Sequence, residues 1–69
     1  MSEFKEVLKG LRIQNNLTQK EIAKVIDVSE RTYSRYETGD REPRIETLIK
    51  LADFYKIPVD LLIGRYKRG

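Results

Sequence analysis

The sequence predicts an all-α fold, a compact five-helix bundle forming one domain across residues 1–69. Three observations predict it. With 69 residues the chain has room for one modest core, which favours close helical packing over a large sheet. Apolar residues recur at the helical spacing i, i+3, i+4, i+7 along most of the chain. Pro43, Pro58, Gly10, Gly39, Gly64 and Gly69 punctuate those stripes, and no repeat, linker or low-complexity stretch interrupts them.

The first stripe is Phe4, Val7, Leu8 and Leu11, and it predicts a helix from about Glu3 to Gln14. Ile13 falls off the stripe as a lone exposed apolar residue. Asn15 and Asn16 close the helix, because Asn tolerates the left-handed backbone of a helix end. Thr18 then opens a second helix. It stands three residues before Glu21, the spacing of a capping box, with Leu17 and Ile22 placed as a hydrophobic staple. Ile22, Ala23, Val25 and Ile26 are its expected buried face, and it runs about two turns before Asp27.

A third helix starts in the same way. Ser29 is the cap, Val28 and Tyr33 are the staple pair, and Gly39 is the stop. Tyr33 and Tyr36 should face the core with their hydroxyls at its edge. The second and third helices are short and joined by a tight turn. They must therefore cross steeply, which is helix-turn-helix geometry over about residues 18–39, with the third helix over about 29–38. After Asp40, Arg41, Glu42 and Pro43, the stripe Ile45, Leu48, Ile49, Leu51, Ala52 and Tyr55 predicts a fourth helix. A short fifth follows over Ile57 to Ile63, with Pro58 in its first turn, where no donor is needed, and Gly64 as its end. A basic tail, residues 65–69, contains Arg65, Lys67 and Arg68.

Composition narrows the function. Cys and His are both absent. That removes disulfides, the usual zinc and iron sites, and the commonest acid–base and nucleophilic side chains near neutral pH. No metal or cofactor is expected, no small-molecule ligand is evident, and an enzyme is not expected. No apolar run approaches a membrane span, and the start lacks the apolar core of a signal peptide, so a cytoplasmic location is the default expectation. Lys and Arg number 14 against 11 Asp and Glu, a net charge of +3. This is too mild to name a partner, so the placement of the positive charge has to decide.

On the third helix the core claims Tyr33 and Tyr36, which leaves Glu30, Arg31, Ser34 and Arg35 on the opposite face. Arg31 and Arg35 are four apart and project side by side. A helix fits the major groove of DNA, an Arg fork matches the two acceptors of guanine, and Glu can accept from the amino group of cytosine. By itself this face also suits plain solvation. Its neighbours argue for double-stranded DNA. Gln19 and Lys20 sit at a helix N-terminus, where free amides attract phosphate. Thr38, Arg41 and Arg44 follow the third helix, so the two groups could clamp both phosphate strands.

The strings LTQKEIA, VS before the third helix, YETGDREP, ETLIKLADF and VDLLIG stand in this order and spacing over Phe4 to Gly64. In them the chain resembles the helix-turn-helix domain of the phage repressor and Cro type, the Xre-like family of bacterial regulators. The resemblance implies five helices with the third as reader. It implies base contacts at Glu30, Arg31 and Arg35, with Thr32 and Thr38 nearer the backbone. It implies that Gln19 touches a phosphate and packs against the first reading side chain, and that Arg12 pairs with Glu37 between the first and third helices. Four positions depart from the family pattern. Arg44 and Pro58 replace usual caps, Lys56 stands where Gly is common, and Tyr33 is larger than the usual aliphatic residue.

One reading helix spans few base pairs, and members of the family often bind two-fold sites as dimers. The candidate surface for a homodimer is Pro43, Ile45, Val59 and Leu61, of which Ile45 and Leu61 suit the core equally well. The expected function is a transcriptional regulator, more specifically a repressor that occupies a two-fold operator. The rival reading is a protein-interaction module, such as an antitoxin or anti-regulator. It calls for an apolar patch on the third helix, where this chain is polar.

Overall fold

The structure is a computed structural model, and it describes residues 2–63. The predicted stop at Gly64 and the basic tail lie outside the described residues. Five helices follow one another, α1 over Ser2–Gln14, α2 over Gln19–Val25, α3 over Glu30–Thr38, α4 over Ile45–Tyr55 and α5 over Val59–Leu62. Among the described residues there is no strand.

The helix boundaries follow local chemistry. Thr18 Oγ1 accepts from the Glu21 amide at 3.0 Å, and Glu21 Oε1 accepts from the Thr18 amide at 2.8 Å. This is the reciprocal box expected at the start of α2. Ser29 Oγ accepts from the Thr32 amide at 3.0 Å to start α3. Asn16, Asp27 and Lys56 carry positive φ at the ends of α1, α2 and α4, and Gly39 does so after α3. Arg44 caps α4 without a side-chain hydrogen bond, as expected for a residue with no short acceptor. Pro58 stands one position earlier than expected, as the cap of α5 rather than in its first turn.

Phe4 and Leu8 of α1, Ile22 and Ile26 at α2, Tyr33 and Tyr36 of α3, and Leu48 and Leu51 of α4 meet Leu62 of α5 in one core. Two residues expected on buried faces are not there. Val25 is 47% exposed and Ile49 46% exposed. On a helix of about 100° per residue, Val25 lies roughly 110° from the centre of the Ile22–Ala23–Ile26 arc. Ile49 lies similarly far, about 110°, from the centre of the Leu48–Leu51–Ala52 arc. Helical spacing admits both residues, but the arc that neighbouring helices cover is narrower. Ile13 is exposed, as expected off the stripe. On the proposed dimer surface, Ile45 and Leu61 are exposed and Val59 is half-buried. Pro43 is buried within the chain and has little surface to offer a partner.

Lys56 holds φ 59° and ψ 46°. A left-handed backbone costs a side chain with a Cβ roughly 1–2 kcal/mol, and Asn or Asp offsets part of this through local hydrogen bonds that Lys cannot make. Part of the gain from glycine returns as entropy of the unfolded chain. Lys56→Gly is therefore expected to stabilise the domain by about 0.5–1 kcal/mol. Thermal melting checks this, and a lower melting temperature would contradict it.

Candidate nucleic-acid interface

The third helix presents what its sequence separates. Tyr33 is fully buried, and its ring meets that of Tyr36 edge to face at 6.2 Å between centroids. On the other side, Glu30, Arg31, Ser34, Arg35 and Thr38 line one concave surface together with Gln19 of α2 and Asp40. All four expected base-contacting residues thus share one face with Gln19 and Thr38. A second concavity lies at the start of α3 and α4. It brings Thr32 together with Arg41, Arg44, Ser29 and Thr47. Of the residues expected to touch phosphates, Gln19 and Thr38 therefore lie on the face of α3, and Thr32, Arg41 and Arg44 at its N-terminal end. Lys20 is exposed in the first turn of α2 and lines neither surface. Among the described residues, none of Lys20, Arg31, Arg35, Arg41 and Arg44 is held in an ion pair. Their charge is open to a ligand.

The end of α3 is closed by its own backbone. The Arg35 carbonyl accepts from the amides of Gly39 and Asp40 at 3.0 Å and of Arg41 at 3.3 Å, and from Thr38 Oγ1 at 3.1 Å. Gly39 makes this turn possible at φ 87°. Thr38 Oγ1 also lies 3.0 Å from Asp40 Oδ2.

Beneath the face sits one buried carboxylate. Arg12 Nε donates to Glu37 Oε2 at 2.6 Å, and Arg12 Nη2 donates to Glu37 Oε1 at 3.2 Å. The third nitrogen, Arg12 Nη1, donates to the Leu17 carbonyl at 3.0 Å. The ion pair implied by the resemblance is present, and the side chain of Glu37 is only 5% exposed. Two further donors complete the site. Tyr33 Oη donates to Glu37 Oε2 at 2.5 Å, and Gln19 Nε2 donates to Glu37 Oε1 at 3.1 Å. The oversized Tyr33 is accommodated because its hydroxyl reaches this acceptor.

Burial alone would push the Glu37 carboxyl up, but hydrogen bonds from Arg12, Tyr33 and Gln19 outweigh it, and the net shift is downward. Arg12 is raised, mainly by its hydrogen bonds to Glu37. Tyr33 is raised by burial and by its bond to the carboxylate. Tyr55 has a buried hydroxyl with no hydrogen-bond partner among the described residues. Burial, and then the nearby charge of Glu37, push it up to about 12. The stability dependence follows from these directions. The folded pKa of Glu37 lies below its unfolded value, so its contribution is complete above about pH 4.3 and is lost as pH falls through the folded value. The two tyrosines act in the opposite sense, their contribution being complete below about pH 10 and lost as pH rises through their folded values. Melting temperature is expected to hold between these limits and to fall on either side. Glu37→Gln should flatten the acid side, and an unchanged acid limb in that variant would contradict the assignment.

Sequence reasoning missed the Gln19–Glu37 bond, Asp40 on the face of α3, and Thr47 in the second concavity. Gln19 is legible as a residue at a helix start, whereas its bond to Glu37 links residues 18 positions apart and leaves no local pattern. Among the described residues, no cluster of acids could hold a metal, and no helix is long and apolar enough to cross a membrane.

A family model described as helix-turn-helix matches residues 8–62. The chain is 40% identical over 61 residues to the cryptic phage CTXphi transcriptional repressor RstR of Vibrio cholerae, covering 88% of this chain and 55% of that protein. It is 36% identical over 62 residues to the HTH-type transcriptional activator BcrR of Enterococcus faecalis, covering 90% of this chain and 30% of that protein. The crystal structure of a transcriptional regulator from Listeria innocua matches with a TM-score of 0.89 at 33% identity, over 96% of this chain and 62% of that one. The chain spans about half the length of the curated relatives it matches.

Proposed function

Because the chain belongs to the helix-turn-helix family of phage repressor-like domains, we propose that it is a sequence-specific DNA-binding regulator of transcription. Its third helix lies in the major groove. Glu30, Arg31, Ser34 and Arg35 face the base edges, with the two arginines as guanine readers. Gln19, Lys20, Thr32, Thr38, Arg41 and Arg44 hold the phosphates on either side and fix the register. The observation that carries this reading is the shared concave face of α3, whose arginines have no ion-pair partner among the described residues. Every residue lining that face is polar, which disfavours a protein-docking role for it.

The regulator acts as a repressor on a two-fold operator, and the site of action is the cytoplasm. Steric blocking of a promoter needs nothing beyond a bound domain, and one relative is named a repressor. Two copies associate through Ile45, Val59 and Leu61, which sets the reading helices about one DNA turn, roughly 34 Å, apart. Selection of bound duplexes from a random DNA library tests this reading. A motif with two-fold symmetry is the expected result. A motif without symmetry would overturn the dimer, and no motif even at low salt, where phosphate attraction is strongest, would overturn DNA reading itself.

A further inference from the structure

We propose that Lys5, on the first helix and outside the helix-turn-helix, is an additional contact to the DNA phosphates. The proposal rests on the DNA-binding reading above. The side chain of Lys5 crosses Gly39. A Cβ built on that glycine would lie 3.2 Å from Lys5 Cδ and 3.6 Å from Lys5 Nζ. Gly39 stands between Thr38 and Asp40, and both of these line the face that carries Arg31 and Arg35. The bundle thus delivers an ammonium from α1 to the rim of the reading face. Lys5 is half-buried, so its stem is already laid down along the protein and only its charged end remains to be engaged.

A cation at the end of α3 has a second use, which is to neutralise the helix C-terminus. The hydrogen bonds there reduce the need for it, because the Arg35 carbonyl already takes three backbone amides and the Thr38 hydroxyl. No ion pair among the described residues occupies the Lys5 ammonium either.

The two roles separate in their response to salt. Each phosphate neutralised contributes about 0.9 to the slope of log affinity against log salt on B-DNA. The test measures binding of the whole chain to a duplex carrying its selected site and to a random-sequence duplex, for wild type, Lys5→Gln and Lys5→Arg. Gln keeps most of the stem over Gly39 and removes the charge. Lys5→Gln is expected to weaken binding to both duplexes and to lower the slope by about 0.9 per bound chain. The wild-type advantage then shrinks about 3.5-fold per chain between roughly 50 and 200 mM salt. Lys5→Arg is expected to keep the wild-type slope. A Lys5→Gln slope equal to that of wild type overturns the proposal, even if its melting temperature falls, since a purely helix-capping lysine moves stability and leaves the slope alone. If wild type binds neither duplex, the DNA reading itself has failed. That result is distinct from a wild type that binds with a slope indifferent to Lys5.

Discussion

Arg12→Ala is expected to remove about 3–5 kcal/mol of stability, the cost of stranding one member of a buried ion pair. A chain of this length commands only about 3–10 kcal/mol in total, so the variant should be largely unfolded near 37 °C. The reason lies in what the guanidinium holds. It gives two hydrogen bonds to Glu37 and one to the Leu17 carbonyl, tying α3 and the turn before α2 to α1. Without it, a charged Glu37 stays buried with Tyr33 and Gln19 as its remaining donors. Arg12→Lys should recover only part of the loss, because an ammonium cannot reproduce the fork that serves Glu37 and Leu17 together. Denaturant melts followed by circular dichroism measure the effect, and a variant within about 1 kcal/mol of wild type would mean that the pair is not a structural keystone. DNA binding should fall in step with the folded fraction, so lost binding in this variant is no sign of a lost DNA contact.

Arg31→Ala and Arg35→Ala are expected to show the converse. Both side chains are exposed and unpaired among the described residues, so folding stability should stay within about 0.5 kcal/mol of wild type. Each variant should lose about 1–3 kcal/mol of base discrimination, roughly 5- to 150-fold, confined to particular positions of the selected site. Substituting Lys20 or Arg44 by Gln should instead weaken all sequences nearly alike and lower the salt slope. Selection profiles of the variants decide between the two patterns. If the arginine variants lost affinity uniformly across sequences, Arg31 and Arg35 would belong on the phosphates.

The bundle is largely legible in the sequence, because its signals are short-range. Thr18 with Glu21, Ser29 before the third stripe and Gly39 after it each act within one helical turn, so residue type alone marks the helix ends. The face of Arg31 and Arg35 was legible for the same reason, since Tyr33 and Tyr36 fix which side of α3 is inside. What escaped depends on how far neighbouring elements reach. Val25 and Ile49 have the spacing of core residues, yet no adjacent helix covers them. Pro43 has the look of an exposed loop residue and is buried. Gln19 turns to Glu37, and Lys5 to Gly39, only because the fold joins segments remote in sequence. The Arg12–Glu37 pair is implied by the family resemblance, with Arg12 beside the core stripe, since no local rule links two charges 25 positions apart.

The crowded Arg35 carbonyl has a consequence in entropy and exchange. Helix ends ordinarily fray, and a reader that frays must be ordered at the moment of binding, which weakens affinity. Here the last turn of α3 is fastened by three amides that share one acceptor. The amide protons of Gly39, Asp40 and Arg41 should therefore exchange with solvent as a cooperative set, more slowly than those of exposed turns elsewhere in the chain. On the proposed reading, the backbone carrying Arg35 would meet DNA already in its bound form, and the conformational entropy surrendered on binding would fall chiefly on the arginine side chains.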